Sequence, residues 1–408
     1  MAYVNHSLFR YHLHRFRYTE LGELYAVVGL KAFALSLVGI FVPIYLYELG
    51  FSLTGISAYF VVWFITRIPF DLIAGILTAR FGPKHILSGS YIALIIYLLS
   101  LISLDYSTWQ FFLVAFIGGI TTSTYFLPYS IDFSKIRNQK KSGHQLSVIS
   151  IIIASSSAFG PLIGGLIAGN FGTTVLFLSA AGVLLLAVPL LLKTKEALPP
   201  QPLTFKNYPW KSLFKTGTRM SSMEADVLVV LTIWPLFVFL TLFRHNPYLG
   251  VGILTTIGLI FSIGTDYLIG KTVDKKGSGL VRRVSAIGAS LVHIARGFIG
   301  NVIGVIGVNL TGEVTNAGIV ISQTSRHYAN ADKLPRIAYI VANEMFMSLF
   351  KAVFWMTILV VSLLTTEINT LKIGFLLGSL CMLPLILARR PRHKRSNYAN
   401  LLDKLKRA

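Results

Sequence analysis

Seven ionisable side chains stand inside otherwise apolar runs of this 408-residue chain: Lys31, Arg67, Asp71, Asp266, Glu313, Glu344 and Lys351. Placing such a group in hydrocarbon costs about 2.5–3.5 kcal/mol on insertion scales, so one that persists there is expected to bind, carry charge or hold a partner. Arg67 and Asp71 are four residues apart and share a helix face. They can neutralise one another within the helix, or Asp71 can instead anchor a contact with another helix. Glu313 lies in Asn309-LTG-Glu313-VT-Asn316, with both asparagines on roughly the same polar face. A carboxylate taken out of water holds a proton more readily, which suits a group that loads and releases one. The alternative is a carboxylate satisfied by a neighbour such as His293 or Asn309. Glu344, beside Asn343, and Lys351 share a face at a separation of about 10 Å, which favours different partners for each.

Other chemistry lacks its residues. The chain has no P-loop, no HExxH and no GxSxG in a strand context, and its one cysteine, Cys381, allows neither an intrachain disulfide nor a cysteine metal site. An enzyme, a cofactor and a bound metal are therefore not expected. The net charge of +21 would suit nucleic acid, but the basic residues fall mostly in short segments between apolar blocks. No nucleic-acid partner is expected.

The elements that must position these charges are read from hydropathy. Residues are 54% hydrophobic and only 13% charged, against the roughly 25% charged of soluble domains, and mean hydropathy is +0.68. Apolar blocks long enough to cross a bilayer fall at about 24–47, 52–78, 84–104, 107–129, 146–168 and 172–193, then at about 226–243, 247–271, 281–299, 302–324, 337–364 and 370–388. The expected fold is all-α, with twelve spans in two six-helix bundles, 24–193 and 226–388. A polar linker, 194–225, joins them, between a basic arm, 1–23, and a basic tail, 389–408.

Counting Lys and Arg in alternate loops gives 31 on one side and three, Arg244, Lys372 and Arg296, on the other. By the positive-inside rule both termini are then cytoplasmic and the number of spans is even. The N-terminal arm lacks the apolar core and cleavage site of a signal peptide and reads as lying on headgroups through Arg10, Arg15 and Arg17. The tail reads as a surface for anionic lipid or, more sharply, for a specific regulator.

An internal repeat links the halves. Asp71-LIA-Gly75-ILT-Ala79-Arg80-F-Gly82 closes the second block, and Asp266-YLI-Gly270-KTV-Asp274-Lys275-K-Gly277 closes the eighth. In each, a glycine four residues after the acid permits close helix approach, and a basic residue and final glycine make a tight turn. Parallel halves are how many transporters are built. In these elements the chain resembles the major facilitator superfamily, whose loop between helices 2 and 3 carries G-x-x-x-D-R-x-G, often echoed between helices 8 and 9. The resemblance implies a charge cluster that latches the halves at the inner side, with Arg80 and Asp132 in two of its roles. The signature aspartate is replaced by Ala79, while the second copy keeps Asp274 and Lys275. Gly160-Pro161 followed by Gly164-Gly165 looks like the G-P-x-x-G-G element of antiporters in the family, or else a generic packing kink.

The resemblance also implies a central cavity lined by helices 1, 4, 7 and 10. Lys31 and Glu313 are then expected to face one another across it, with Tyr125 and Trp234 as aromatic lining or as mere packing. Asp71 and Asp266 would anchor symmetric contacts of helix 2 with 11 and helix 8 with 5. The implied activity is alternating-access transport of a small solute with protons or another coupling ion, in the direction of export. The expected setting is a monomer in the cytoplasmic membrane. A lipid or amphiphile transporter on the same scaffold, and a non-transporting protein of the fold, stay open as alternatives.

Overall fold

Long apolar runs cut by glycine, proline and basic residues satisfy their backbone groups internally as helices, which is what a hydrocarbon solvent demands. The computed structural model describes residues 20–104, 107–136, 142–191, 202–206, 208–244 and 247–388. The first half comprises α1 (Glu20–Val38, resuming as Val42–Glu48), α2 (Leu53–Phe81), α3 (Pro83–Ile102), α4 (Thr108–Ile136), α5 (Ser142–Ser157, resuming as Gly160–Phe171) and α6 (Thr173–Leu191). The second comprises α7 (Trp210–Leu228, a π turn Val229–Ile233, then Trp234–Leu242), α8 (Pro247–Lys276), α9 (Ser278–Arg296), α10 (Val302–Ala331), α11 (Arg336–Leu364) and α12 (Glu367–Cys381 with Leu383–Ile386). No strand occurs among the described residues.

Local chemistry sets several boundaries. The Ser52 hydroxyl accepts from the Gly55 amide at 3.2 Å to open α2, and Asn301 Oδ1 accepts from the Gly304 amide at 2.7 Å to open α10. The repeat glycines end α2 and α8 with positive φ, 88° at Gly82 and 80° at Gly277, which other residues adopt only under strain.

Among the described residues, eleven helical segments are long and apolar enough to cross a membrane. The remaining helix is α9, whose 19 residues carry Arg282, Arg283, His293 and Arg296. The largest boundary difference from the sequence expectation is at α7. The segment 194–225 was expected as linker, yet α7 begins at Trp210. Pro209 stands at its N-cap, and Lys211 and Lys215 face solvent while Met220, Met223 and Ala225 turn inward, so a polar stretch is one face of an amphipathic helix.

The halves meet chiefly through two helix pairs, α2 with α11 and α5 with α8. At the end of the bundle that carries the α2–α3, α8–α9 and α10–α11 turns, here the basic end, an apolar cluster joins Ala74, Ala79, Leu127, Ile131, Ile337 and Val341. At the far end, Tyr47 donates to Glu367 at 2.7 Å, and Tyr248 donates to Glu48.

Candidate functional site

Where α2 crosses α11, the side chain at Gly75 must be missing: a Cβ there would lie 2.5 Å from Val341 Cγ2. That close approach brings the buried charges of the two helices together. Arg67 Nη2 lies 3.1 Å from Glu344 Oε2 and 3.7 Å from Asp71 Oδ1, and Ser348 donates to Asp71 Oδ2 at 2.6 Å. Arg67 is 1% and Asp71 0% exposed. Two turns along α11, Lys351 Nζ donates to Glu224 of α7 at 2.5 Å, with the ring of Phe64 at 5.3 Å. Glu344 and Lys351 thus take different partners.

A second cluster lies within the second half. Asp226 of α7 is 2.9 Å from His293 Nε2 of α9, whose Nδ1 is 3.0 Å from Arg296 Nη1. The Arg296 guanidinium stands 5.2 Å from the ring of Trp234, and the indole N–H of Trp234 donates to Asn309 Oδ1 at 2.8 Å. Asn309 in turn donates to the carbonyl of Leu254 at 3.2 Å. Trp234, Arg296, Asn309, Glu313 and Asn316 line one narrow cavity of about 40 Å³. The charged neighbours of Glu313 there are Arg296, Asp226 and Asp266.

The first half holds the larger space. Lys31 Nζ sits 2.9 Å from the centroid of the Tyr125 ring and 4.9 Å from that of Phe126. It lines a cavity of about 220 Å³ with Phe60, Trp63, Tyr97 and Tyr125, which Leu231 and Thr232 of the α7 π turn close from the other half. A cation over an aromatic face is attracted by the ring quadrupole, which compensates an ammonium that has no carboxylate partner among the described residues. Lys31 and Glu313 therefore line different cavities and do not face one another, contrary to the sequence expectation. Tyr125 competes for the ammonium locally, and the Trp234 and Asn309 side chains occupy Glu313's surroundings.

The signature residues are placed unequally. Ala79 is buried in the apolar seam at the basic end, where a carboxylate would have no water. Arg80 is exposed, 5.3 Å from the ring of Phe81, and makes no ion pair among the described residues, so it does not join the buried Asp132. In the second copy, Asp266 is half-buried without a hydrogen-bond partner among the described residues, and Lys275 is exposed. Asp71 makes its contact with α11 through Ser348; among the described residues no hydrogen bond or ion pair meets Asp266, and the side chains of residues 142–147 of α5 lie outside them. Gly270 lies on α8, and the side chain of Asp274 is outside the described residues.

The Gly160-Pro161 element interrupts α5. Proline removes a donor, and the neighbouring amide of Leu162 donates across the halves to the Thr256 hydroxyl of α8 at 3.0 Å. Gly160 abuts Ser36 and Gly164 abuts the Leu37 carbonyl of α1, while a Cβ at Gly165 would lie 2.5 Å from the Tyr248 carbonyl of α8. The element is a contact surface for both α1 and α8.

Three participants escaped sequence reading. Glu224 and Asp226 sat at the edge of a misplaced α7, and Arg296 was counted among outer-side charges, although it is buried against Trp234. The inward helical spacing of Met220, Met223 and Ala225 was the available signal for α7.

Comparison with known proteins agrees with this architecture. The family model described as Major Facilitator Superfamily matches residues 24–354. A curated relative, the uncharacterized MFS-type transporter YuxJ of Bacillus subtilis (strain 168), is 32% identical over 120 residues, covering 28% of this chain and 29% of that protein. Among solved structures, the crystal structure of the human organic anion transporter MFSD10 (TETRAN) superposes with a TM-score of 0.64 at 13% identity, covering 90% of this chain and 98% of that one.

Proposed function

The chain belongs to the major facilitator superfamily of secondary transporters, and on that premise we propose that it carries a small, largely apolar organic solute by alternating access, coupled to protons and in the direction of export. The observation that carries the solute class is the first-half cavity, whose lining is aromatic and aliphatic apart from the single ammonium of Lys31, the tyrosine hydroxyls and the threonines Thr121, Thr122 and Thr232. Such a surface selects for ring or alkyl character with one polar group that can reach Lys31. Coupling is assigned to Glu313, which shares its cavity with the Arg296 guanidinium. The π turn of α7 contributes to the first cavity and leads directly into Trp234 of the second, which supports a mechanical link between solute and proton sites. The likeness of the Gly160-Pro161 element to that of antiporters supports export. The proposed setting is a monomer in the cytoplasmic membrane; the basic arm with Arg10, Arg15 and Arg17 and the basic tail, expected on anionic lipid, lie outside the described residues.

Proteoliposomes with an imposed pH gradient test this reading. Solute flux that dissipates the gradient is expected, with Glu313→Gln uncoupling it and Lys31→Gln weakening solute binding. Undiminished proton-driven flux in Glu313→Gln removes the coupling role. An open apolar groove between α1 and α5, lined by Tyr25, Leu30, Phe33, Ile152, Phe159 and Ile163, favours an amphiphile that enters sideways from the bilayer as the second reading. Lipid movement without solute flux in the same vesicles identifies it.

A further inference from the structure

A guanidinium carries hydrogen on every nitrogen and has no lone pair to offer, so where it meets an imidazole at hydrogen-bond distance the ring nitrogen must accept. Arg296 Nη1 lies 3.0 Å from Nδ1 of His293. Nδ1 is therefore bare and the ring neutral, with its one hydrogen on Nε2, 2.9 Å from the carboxylate of Asp226. Protonating Nδ1 would put a hydrogen and a second positive charge where Arg296 now donates. All three residues are buried.

The neighbours of Arg296 with opposite charge are Asp226 and Glu313, yet no ion pair among the described residues includes Arg296 or Glu313. The guanidinium instead has the neutral imidazole, the face of Trp234 at 5.2 Å and, beside Nη2, the bare backbone of Gly312, where a Cβ would lie 3.2 Å away. Gly312 precedes Glu313, and both line the cavity of about 40 Å³ with Arg296. The Glu313 carboxylate packs against Gly258 of α8, where a Cβ would lie 3.6 Å from Oε1. Guanidinium and carboxylate thus share one small space without touching. Contact would matter, because a carboxylate beside a guanidinium is favoured in its ionised form and holds a proton less readily.

We propose that His293 is a positioning residue of the coupling site: its bare Nδ1 keeps Arg296 turned toward Trp234 and off Glu313, so that Glu313 can take up and release a proton. This role rests on the coupling function assigned to Glu313 and adds the residue that sets its conditions. The carboxylate of Asp226 beside Nε2 favours the tautomer with the hydrogen there. The charged groups around the arrangement are Asp226 from α7, Arg296 on α9 itself, Glu313 from α10 and, acting on Glu313, Asp266 from α8. From α12 the ring is met by Gly378, where a Cβ would lie 3.5 Å from it. Loss of the acceptor at Nδ1 frees Arg296 to swing to Glu313, while Asp226 keeps its contact with Nε2.

The test titrates Glu313 directly and needs no solute. Infrared difference spectra of the full-length protein in nanodiscs are recorded against pH, and the carboxylic acid carbonyl band that Glu313→Gln removes reports protonated Glu313. His293→Asn places an amide oxygen near the position of Nδ1 and keeps the acceptor for Arg296. His293→Gln places its amide near Nε2, keeps a donor for Asp226 and leaves the place of Nδ1 empty. The midpoint of the band is expected to fall by about one pH unit or more in His293→Gln, the usual effect of a guanidinium brought beside a carboxylate, and to stay near its wild-type value in His293→Asn. In an Arg296→Gln background, His293→Gln is expected to move the midpoint no further. A purely structural role would lower the unfolding temperature without moving the titration. A midpoint that stays in place in His293→Gln, moves as far in His293→Asn, or still moves without Arg296 overturns the positioning role and leaves the coupling function of Glu313 standing. A Glu313 band that appears at no pH overturns both.

Discussion

The guanidinium of Arg67 on α2 and the carboxylate of Glu344 on α11 meet at 3.1 Å across the boundary of the two halves, both withdrawn from solvent. Breaking a buried pair by removing one partner costs about 3–5 kcal/mol, because the survivor keeps its desolvation penalty. Arg67→Met leaves Asp71 and Glu344 as two buried carboxylates, whereas Glu344→Gln leaves Arg67 with Asp71 at 3.7 Å. The first variant is therefore expected to lose about 3–5 kcal/mol and the second clearly less, read from unfolding midpoints in detergent. Asp71→Asn keeps an acceptor for Ser348 and is expected to change transport rate more than protein abundance. Equal loss of both would identify a purely structural role.

Lys351 and Glu224 are suited to a double-mutant cycle. Lys351→Met or Glu224→Gln alone strands a charge and is expected to cost about 3 kcal/mol or more. The double variant strands neither charge and is expected to cost less than the sum of the two single losses, by a coupling energy of about 1–3 kcal/mol. Additive losses in unfolding measurements would mean that the two groups act independently.

Lys31 interacts with the face of Tyr125, so the ring matters and the hydroxyl does not. Tyr125→Phe is expected to keep solute binding within about twofold, and Tyr125→Leu to weaken it by about 1–2 kcal/mol, roughly tenfold. Binding of a transported solute, followed by tryptophan fluorescence of the cavity residue Trp63, distinguishes them.

At Gly75 the obstacle is steric. Gly75→Ala is expected to destabilise the α2–α11 contact by about 1–3 kcal/mol, the usual range for overpacking. Val341→Ala in the same protein removes the obstructing methyl groups and is expected to restore much of that loss. A Gly75→Ala protein with unchanged stability and unchanged flux would show that the helices separate at no cost.

The spans, the internal repeat and the break in α5 were legible because each is written locally, as a run of apolar residues, a glycine that must take positive φ, or a proline without a donor. The pairings were not. Arg67 and Glu344 are 277 positions apart and Lys351 and Glu224 are 127 apart, and the sequence could nominate the charges without assigning partners. Hydropathy also misjudged the second half, where charge and burial coincide. Lys211 and Lys215 made an amphipathic helix read as a loop, and Arg296, near the end of its block, read as an outer-side charge although it packs on Trp234. Ala79 pointed to a missing latch, but which interaction replaces it depends on the neighbours that α4, α10 and α11 bring to the seam.

That seam has a thermal consequence. Ala79 and its neighbours close the basic end by contact between aliphatic side chains, so each opening there wets hydrocarbon surface and raises the heat capacity of the open conformer. The balance between conformers along this edge should therefore curve with temperature and hardly respond to ionic strength. Cooling weakens apolar contact, so the open conformer at this edge gains population in the cold for a reason unrelated to the fluidity of the surrounding lipid.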